Sequence, residues 1–156
     1  MKLILLPIFA LASANAQSPS ATVQHATFLV VSSTLQAPPA AKHVSMADLL
    51  LALAEVESNS NDNAIGRDGE VSRYQIMPVV WNQYGAGLNP RNPEQSRLVA
   101  ERILSTRMKN FEKKIGRMPN LVETYGLWNK PTHAMNGRLR GTTLQRCKKF
   151  ADFVNK

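Results

Sequence analysis

Glu57 closes an apolar run that begins at Leu49, and Ser58 follows it directly. A carboxyl group set among aliphatic neighbours is a candidate general acid, because burial favours its protonated form. In helical register Glu57 lies four residues after Leu53 and seven after Leu50, on the apolar stripe. Glu55 instead shares its stripe with Asp48, Ala52 and Asn59, the polar side. The end of a helix adds a second upward push, since the partial negative charge of its last carbonyls opposes ionisation. Proton delivery to the leaving oxygen of a glycosidic bond is the chemistry such a group suits. A glutamate here could equally bond a backbone group or pair with an arginine, and on the residues alone the two readings weigh evenly.

Other candidate chemistry is thinner. Asp62, Asp68 and Glu70 could serve as the second carboxylate that a hydrolytic mechanism needs across the bond. Asp68-Gly69 is a hairpin-turn signal and Asp62 sits in a polar, Asn-rich run, so surface roles are the simpler reading for both. His25, His43 and His133 are isolated, and no Cys/His/Asp cluster has ligand spacing, so neither a metal nor another cofactor is expected. Cys147 is the one cysteine and cannot form an internal disulfide. Its helical spacing with Leu144, Ala151 and Val154 describes a buried structural thiol.

Several elements must position these groups. Ser45-Met46-Ala47-Asp48 is a capping-box signal that opens a helix running to Ser58. The breaker-rich stretch Asn59 to Arg73 predicts a small β-hairpin or ordered loop over that helix end. Pro78 begins a short helix through Trp81 and Tyr84, with Met77, Trp81 and Tyr84 at core spacing. Asn92-Pro93-Glu94-Gln95 starts the longest helix, whose face Ala100, Ile103, Leu104, Met108, Phe111 and Ile115 ends near Gly116. Asn120 to Asn129 forms a further helix stopped by Pro131, and Thr142 to Val154 forms the last. The fold class is therefore mainly α with a small β-hairpin or ordered loop, in one domain over residues 45–156.

Residues 1–16 have a positive start, a short apolar core and an Ala14-Asn15-Ala16 end, the pattern of a secretory signal peptide. Residues 17–44, rich in Ser, Ala, Thr and Pro, predict a flexible linker with one apolar patch at Phe28 to Val31. The expected location is outside the cytoplasm, periplasmic or extracellular, with no stable membrane insertion once the leader is removed. Net charge is +8, which favours an anionic partner. No helix carries the dense basic stripe of a nucleic-acid reader, so envelope polymers and lipid headgroups replace nucleic acid as candidates, and the basic side chains are by default solvated surface. The chain is expected to be a monomer.

Four blocks then stand in a particular order: Ala54-Glu55-Val56-Glu57-Ser58, Asn63-Ala64-Ile65-Gly66, Tyr74-Gln75-Ile76-Met77-Pro78 and Leu127-Trp128-Asn129. Each is weak alone. Together they resemble the lytic transglycosylases, peptidoglycan-cleaving enzymes with a lysozyme-like catalytic domain of the soluble-transglycosylase type, across Leu49 to Pro131. The resemblance implies Glu57 as the single catalytic acid/base and Ser58 as the serine that shapes its surroundings. It implies Tyr74, Gln75 and Met77 as part of the block lining the glycan groove. Trp128 falls where the family has an aromatic residue, and Asn129 is implied to bond substrate or the acid, although either Asn129 or Gln75 could merely satisfy backbone groups. Two departures matter. Ser72-Arg73-Tyr74 stands where the family often has glycine and a hydrophobic residue before the glutamine, and Trp128-Asn129-Lys130-Pro131 replaces the commoner Tyr-Asn-Ala-Gly. Tryptophan lacks the tyrosine hydroxyl, which leaves Tyr125 or Tyr74 to supply one.

The resemblance implies cleavage of the β-1,4 bond between N-acetylmuramic acid and N-acetylglucosamine with a 1,6-anhydromuramic acid product, which needs no second acid. A hydrolytic muramidase with the same site is the nearest rival. A non-catalytic peptidoglycan-binding or accessory module, or a cationic envelope-active protein acting by charge alone, are rivals of other classes.

Overall fold

The computed structural model describes residues 43–156. The leader expected over 1–16 and nearly all of the 17–44 segment, with its Phe28–Val31 patch, lie outside them. The first described helix, α1 (Met46–Ser58), opens as its sequence predicts. The Ser45 backbone N–H and hydroxyl both donate to Asp48, at 2.9 and 2.7 Å, and the Asp48 N–H returns a bond to the Ser45 hydroxyl. Two orphan donors of the first turn are thereby satisfied. Its far end turns sharply: Asn59 is left-handed, and the Ser60 N–H reaches back to the Ala54 carbonyl at 3.0 Å. Asparagine is one of the few side chains that take this conformation at low cost.

The turn directs the chain into an ordered loop, without a full strand. Isolated antiparallel bridges join Ile65 to Val71 and Val71 to Ile76, and the latter pair exchanges both backbone hydrogen bonds at 2.9 Å. A two-pronged ion pair from Arg73 to Asp62 fastens the loop across itself.

Four further helices and one short one complete the body: α2 (Pro78–Gly85), α3 (Pro93–Ile115), α4 (Leu121–Asn129), α5 (Pro131–Met135) and α6 (Gly141–Val154). α3 starts at Asn92, whose side chain accepts the Gln95 N–H. The reciprocal half of that box is not made, because the Gln95 amide oxygen instead accepts the Asn89 N–H at 2.6 Å. α4 has a complete box between Asn120 and Glu123. α1 packs against α3 and α6, and α4 packs against α3, α5 and α6. The core they enclose includes Leu50, Leu53, Val99, Ile103, Leu104, Tyr125, Cys147 and Phe150.

Three expectations need correction. Pro131 does not only stop α4; it is the first residue of α5, where its missing N–H costs nothing. Met77 is exposed rather than core, because it is an extended N-cap to α2 and so falls out of helical register with buried Trp81. Ile115 is exposed because the last turn of α3 lies beyond the core, which is filled from that helix by Val99 instead. Among the described residues, no helix is long and apolar enough to cross a membrane.

Candidate active site

A cavity of about 450 Å³ opens where the end of α1, the 66–77 loop, α3, the end of α4 and α6 meet. Glu57 is one of its walls. The apolar register of α1 carries the side chain inward, so that only 5% of it remains exposed. Burial holds the carboxyl above its ordinary range. A hydrogen bond from Tyr125 and the charge and hydrogen bond of Arg146 pull the other way without overcoming burial, and the Glu70 carboxylate adds a small upward push.

Both carboxylate oxygens are held. The Tyr125 hydroxyl donates to Oε1 at 2.7 Å, and Arg146 Nη2 donates to Oε2 at 2.6 Å. Arg146 also bonds the Val56 carbonyl at 3.3 Å and lies 5.7 Å from the Tyr125 ring centroid. Three elements therefore converge on one acid: α1 supplies it, α4 supplies a hydroxyl, and α6 supplies a cation. Of the two tyrosines left open by the sequence, Tyr125 makes the contact. Tyr74 is 3% exposed within the core and is not a wall of the cavity.

Gln75, Met77, Trp128 and Asn129 line the same cavity as Glu57. Ser58 does not. Its hydroxyl donates to the Arg73 carbonyl at 2.8 Å and accepts the Asn61 N–H at 3.0 Å, tying the end of α1 to the loop. Gln75 is left-handed, with φ 48°, and both its N–H and its amide nitrogen donate to the Ser72 carbonyl. A non-glycine residue in that region costs roughly 1–2 kcal/mol, and such strain concentrates where a side chain must be aimed. Gly66 makes room for it. A Cβ there would lie 2.6 Å from the Gln75 amide oxygen and 2.2 Å from a Glu70 carboxylate oxygen.

Of the three further carboxylates, only Asp62 is away from the cavity, paired with Arg73. Asp68 is on the wall, exposed and paired with Arg67. Glu70 also lines the wall and accepts the Asp68 N–H at 3.0 Å.

Two arginines at the site went unrecognised in the sequence. Arg107 of α3 donates to the carbonyls of Leu127 and Trp128, at 3.0 and 2.6 Å, satisfying orphan acceptors at the end of α4. Its guanidinium lies 5.7 Å from the Trp128 ring centroid, so it braces the ring as it closes the helix. Burial lowers its pKa, but from so high a starting value that it stays cationic. Arg146 carried one usable signal: it stands four residues before Phe150, on the side of α6 that packs inward.

This arrangement can deliver a proton to a group lodged in the cavity and stabilise the carboxylate left behind. Comparison with curated proteins and with solved structures returned no match. Comparison with known families matched residues 36–135 to the Transglycosylase SLT domain. That span covers most of the chain and contains Glu57, Tyr125 and the cavity-lining Gln75, Met77, Trp128 and Asn129, and the chain belongs to the Transglycosylase SLT domain family.

Proposed function

We propose that this protein is a peptidoglycan lytic transglycosylase that cleaves the β-1,4 bond between N-acetylmuramic acid and N-acetylglucosamine. The observation that carries the reading is the buried Glu57, with its raised pKa, tethered by Tyr125 and Arg146 at the wall of a cavity. Protonated Glu57 donates its proton to the glycosidic oxygen as the C1–O bond breaks, and the muramyl acetamido group assists departure. The resulting carboxylate is stabilised by the hydroxyl and the guanidinium already bonded to it. Glu57 then takes the proton of the sugar's own 6-hydroxyl as that oxygen closes a 1,6-anhydro ring. Acid and base are one residue, so the cycle needs no second carboxylate. Trp128 offers an aromatic face to a sugar, and Gln75, Met77 and Asn129 complete the substrate wall. Ser58 and Tyr74 support this wall from behind.

The reading extends to the whole chain: residues 1–16 act as an export signal, residues 17–44 link it to a catalytic domain over 45–156, and the protein works as a monomer outside the cytoplasm. The second reading, hydrolysis, draws on Glu70, whose carboxylate lines the same cavity.

Mass spectrometry of the soluble products from purified peptidoglycan tests both. Fragments ending in 1,6-anhydromuramic acid, lost with Glu57→Gln, are the expected result. Reducing ends would transfer the role of base or nucleophile to Glu70. Equal release by the wild type and Glu57→Gln would overturn the assignment of Glu57.

A further inference from the structure

A second cavity, of about 350 Å³, adjoins the first. Its walls are Lys130, His133, Arg138, Leu139, Arg140 and Thr143, and it contains no carboxylate. This contrasts with the catalytic cavity, where Glu57, Asp68 and Glu70 are interspersed with the basic side chains. Most other arginines of the described region are bonded: Arg67, Arg73, Arg97, Arg117 and Arg146 to carboxylates, Arg102 and Arg107 to backbone carbonyls. Arg138 and Arg140 have no side-chain partner among the described residues, and both are exposed. Three cations gathered in a hollow repel one another unless an anion joins them.

The two cavities are joined. Lys130 is a wall of both, and the Thr143 hydroxyl of the second bonds the Asn129 side chain of the first at 3.5 Å. We infer that the second cavity binds carboxylates of the peptide stem carried by a muramyl residue whose glycan occupies the catalytic cavity. This rests on the function proposed above and adds a substrate class to it: strands with anionic stems are bound in preference to strands whose stems lack that charge. The occupant is fixed by adjacency and charge. A stem leaves the glycan sideways from the muramyl lactyl group, and its free carboxylates are the anions nearest to a bound sugar chain.

Arg138→Gln with Arg140→Gln, changing two exposed side chains outside the catalytic cavity, provides the test. Release from intact peptidoglycan and from peptidoglycan whose stem carboxylates have been converted to amides is measured for both proteins, with thermal melts to verify folding. Each exposed charge pair contributes modestly, so KM for intact strands should rise roughly three- to tenfold with kcat kept. KM for the amidated strands should not move. An equal loss on both substrates, or no loss on either, overturns the inference and leaves the catalytic reading standing. No release from either substrate by the wild type overturns the catalytic reading itself. A variant with one substitution at a time, Arg138→Gln or Arg140→Gln, should show a partial rise if the double variant melts early, and no rise in either overturns the inference.

Discussion

Glu57 is subject to opposing influences, and for the proposed acid their balance would set the working pH. Burial raises its pKa; the Tyr125 hydroxyl and the Arg146 guanidinium, which both favour the carboxylate, lower it. An acid catalyst must begin the cycle protonated, so its activity falls on the basic side as pH passes the pKa of the free enzyme's acid. Removing Arg146 takes away a stabiliser of the carboxylate, the folded pKa rises further, and the basic limb of kcat/KM should move to higher pH. Arg146→Met is therefore expected to extend activity towards alkaline pH while lowering the maximum roughly ten- to hundredfold, because the acid loses one of its two tethers. Arg146→Lys should return the limb toward its wild-type position without restoring the full rate, since an ammonium on a shorter stem supplies the charge but does not set a donor where Nη2 bonds both Glu57 and the Val56 carbonyl. A pH–rate profile from about pH 4 to about pH 9 measures this. A limb that stays put in Arg146→Met would mean that Arg146 does not govern the ionisation of Glu57.

At the scale of elements, the 66–77 loop is fitted to the acid rather than merely covering it. Gly66 is not left-handed, so alanine there would suffer no backbone strain; what a Cβ meets is the Glu70 carboxylate and the Gln75 amide, both ends of side chains that can swing away. Gly66→Ala should therefore cost under about 1 kcal/mol of stability, yet displace two walls of the cavity and reduce glycan release severalfold or more. Thermal melts and product release, read together, separate this from simple unfolding: a large stability loss would show the glycine to be structural. The elements themselves were legible in the sequence wherever the signal was local. Ser45 with Asp48 and Asn92-Pro93 each mark a helix start within four residues, and each holds. The loop's Asp68-Gly69 signal correctly located a turn, with Gly69 at φ 83°. What sequence could not reveal is non-local: Tyr125 and Arg146 are 68 and 89 residues from Glu57 along the chain, and helical periodicity gives the facing side of a helix but not its partner. α5 was missed because a proline that ends one helix is equally fit to begin the next.

On the scale of the whole molecule, the acid's partners are carried by helices whose mutual packing is the core itself. α6 shows this most directly, since Arg146 is followed by Cys147, which is fully buried in the cluster shared by α1, α3 and α4. The thiol is pushed up to about 11 by that burial, so it is both inaccessible and protonated in the native state. As the single cysteine in the chain, it reports on α6 alone. If α6 is anchored by the same core that holds α1, Cys147 should resist an aromatic disulfide reagent at about pH 8. In a guanidinium titration it should become reactive at the same midpoint at which helical circular dichroism is lost. One cooperative transition is what a core cluster shared by α1, α3, α4 and α6 predicts. The proposed site would then melt with the fold and not before it, because the helix that carries Arg146 is held by the next residue in the core. Labelling that precedes the loss of helix would instead reveal α6 detaching as a separate unit. In that case activity should fall along the labelling curve rather than the circular dichroism curve, since the tether to Glu57 would be lost with the helix that carries it.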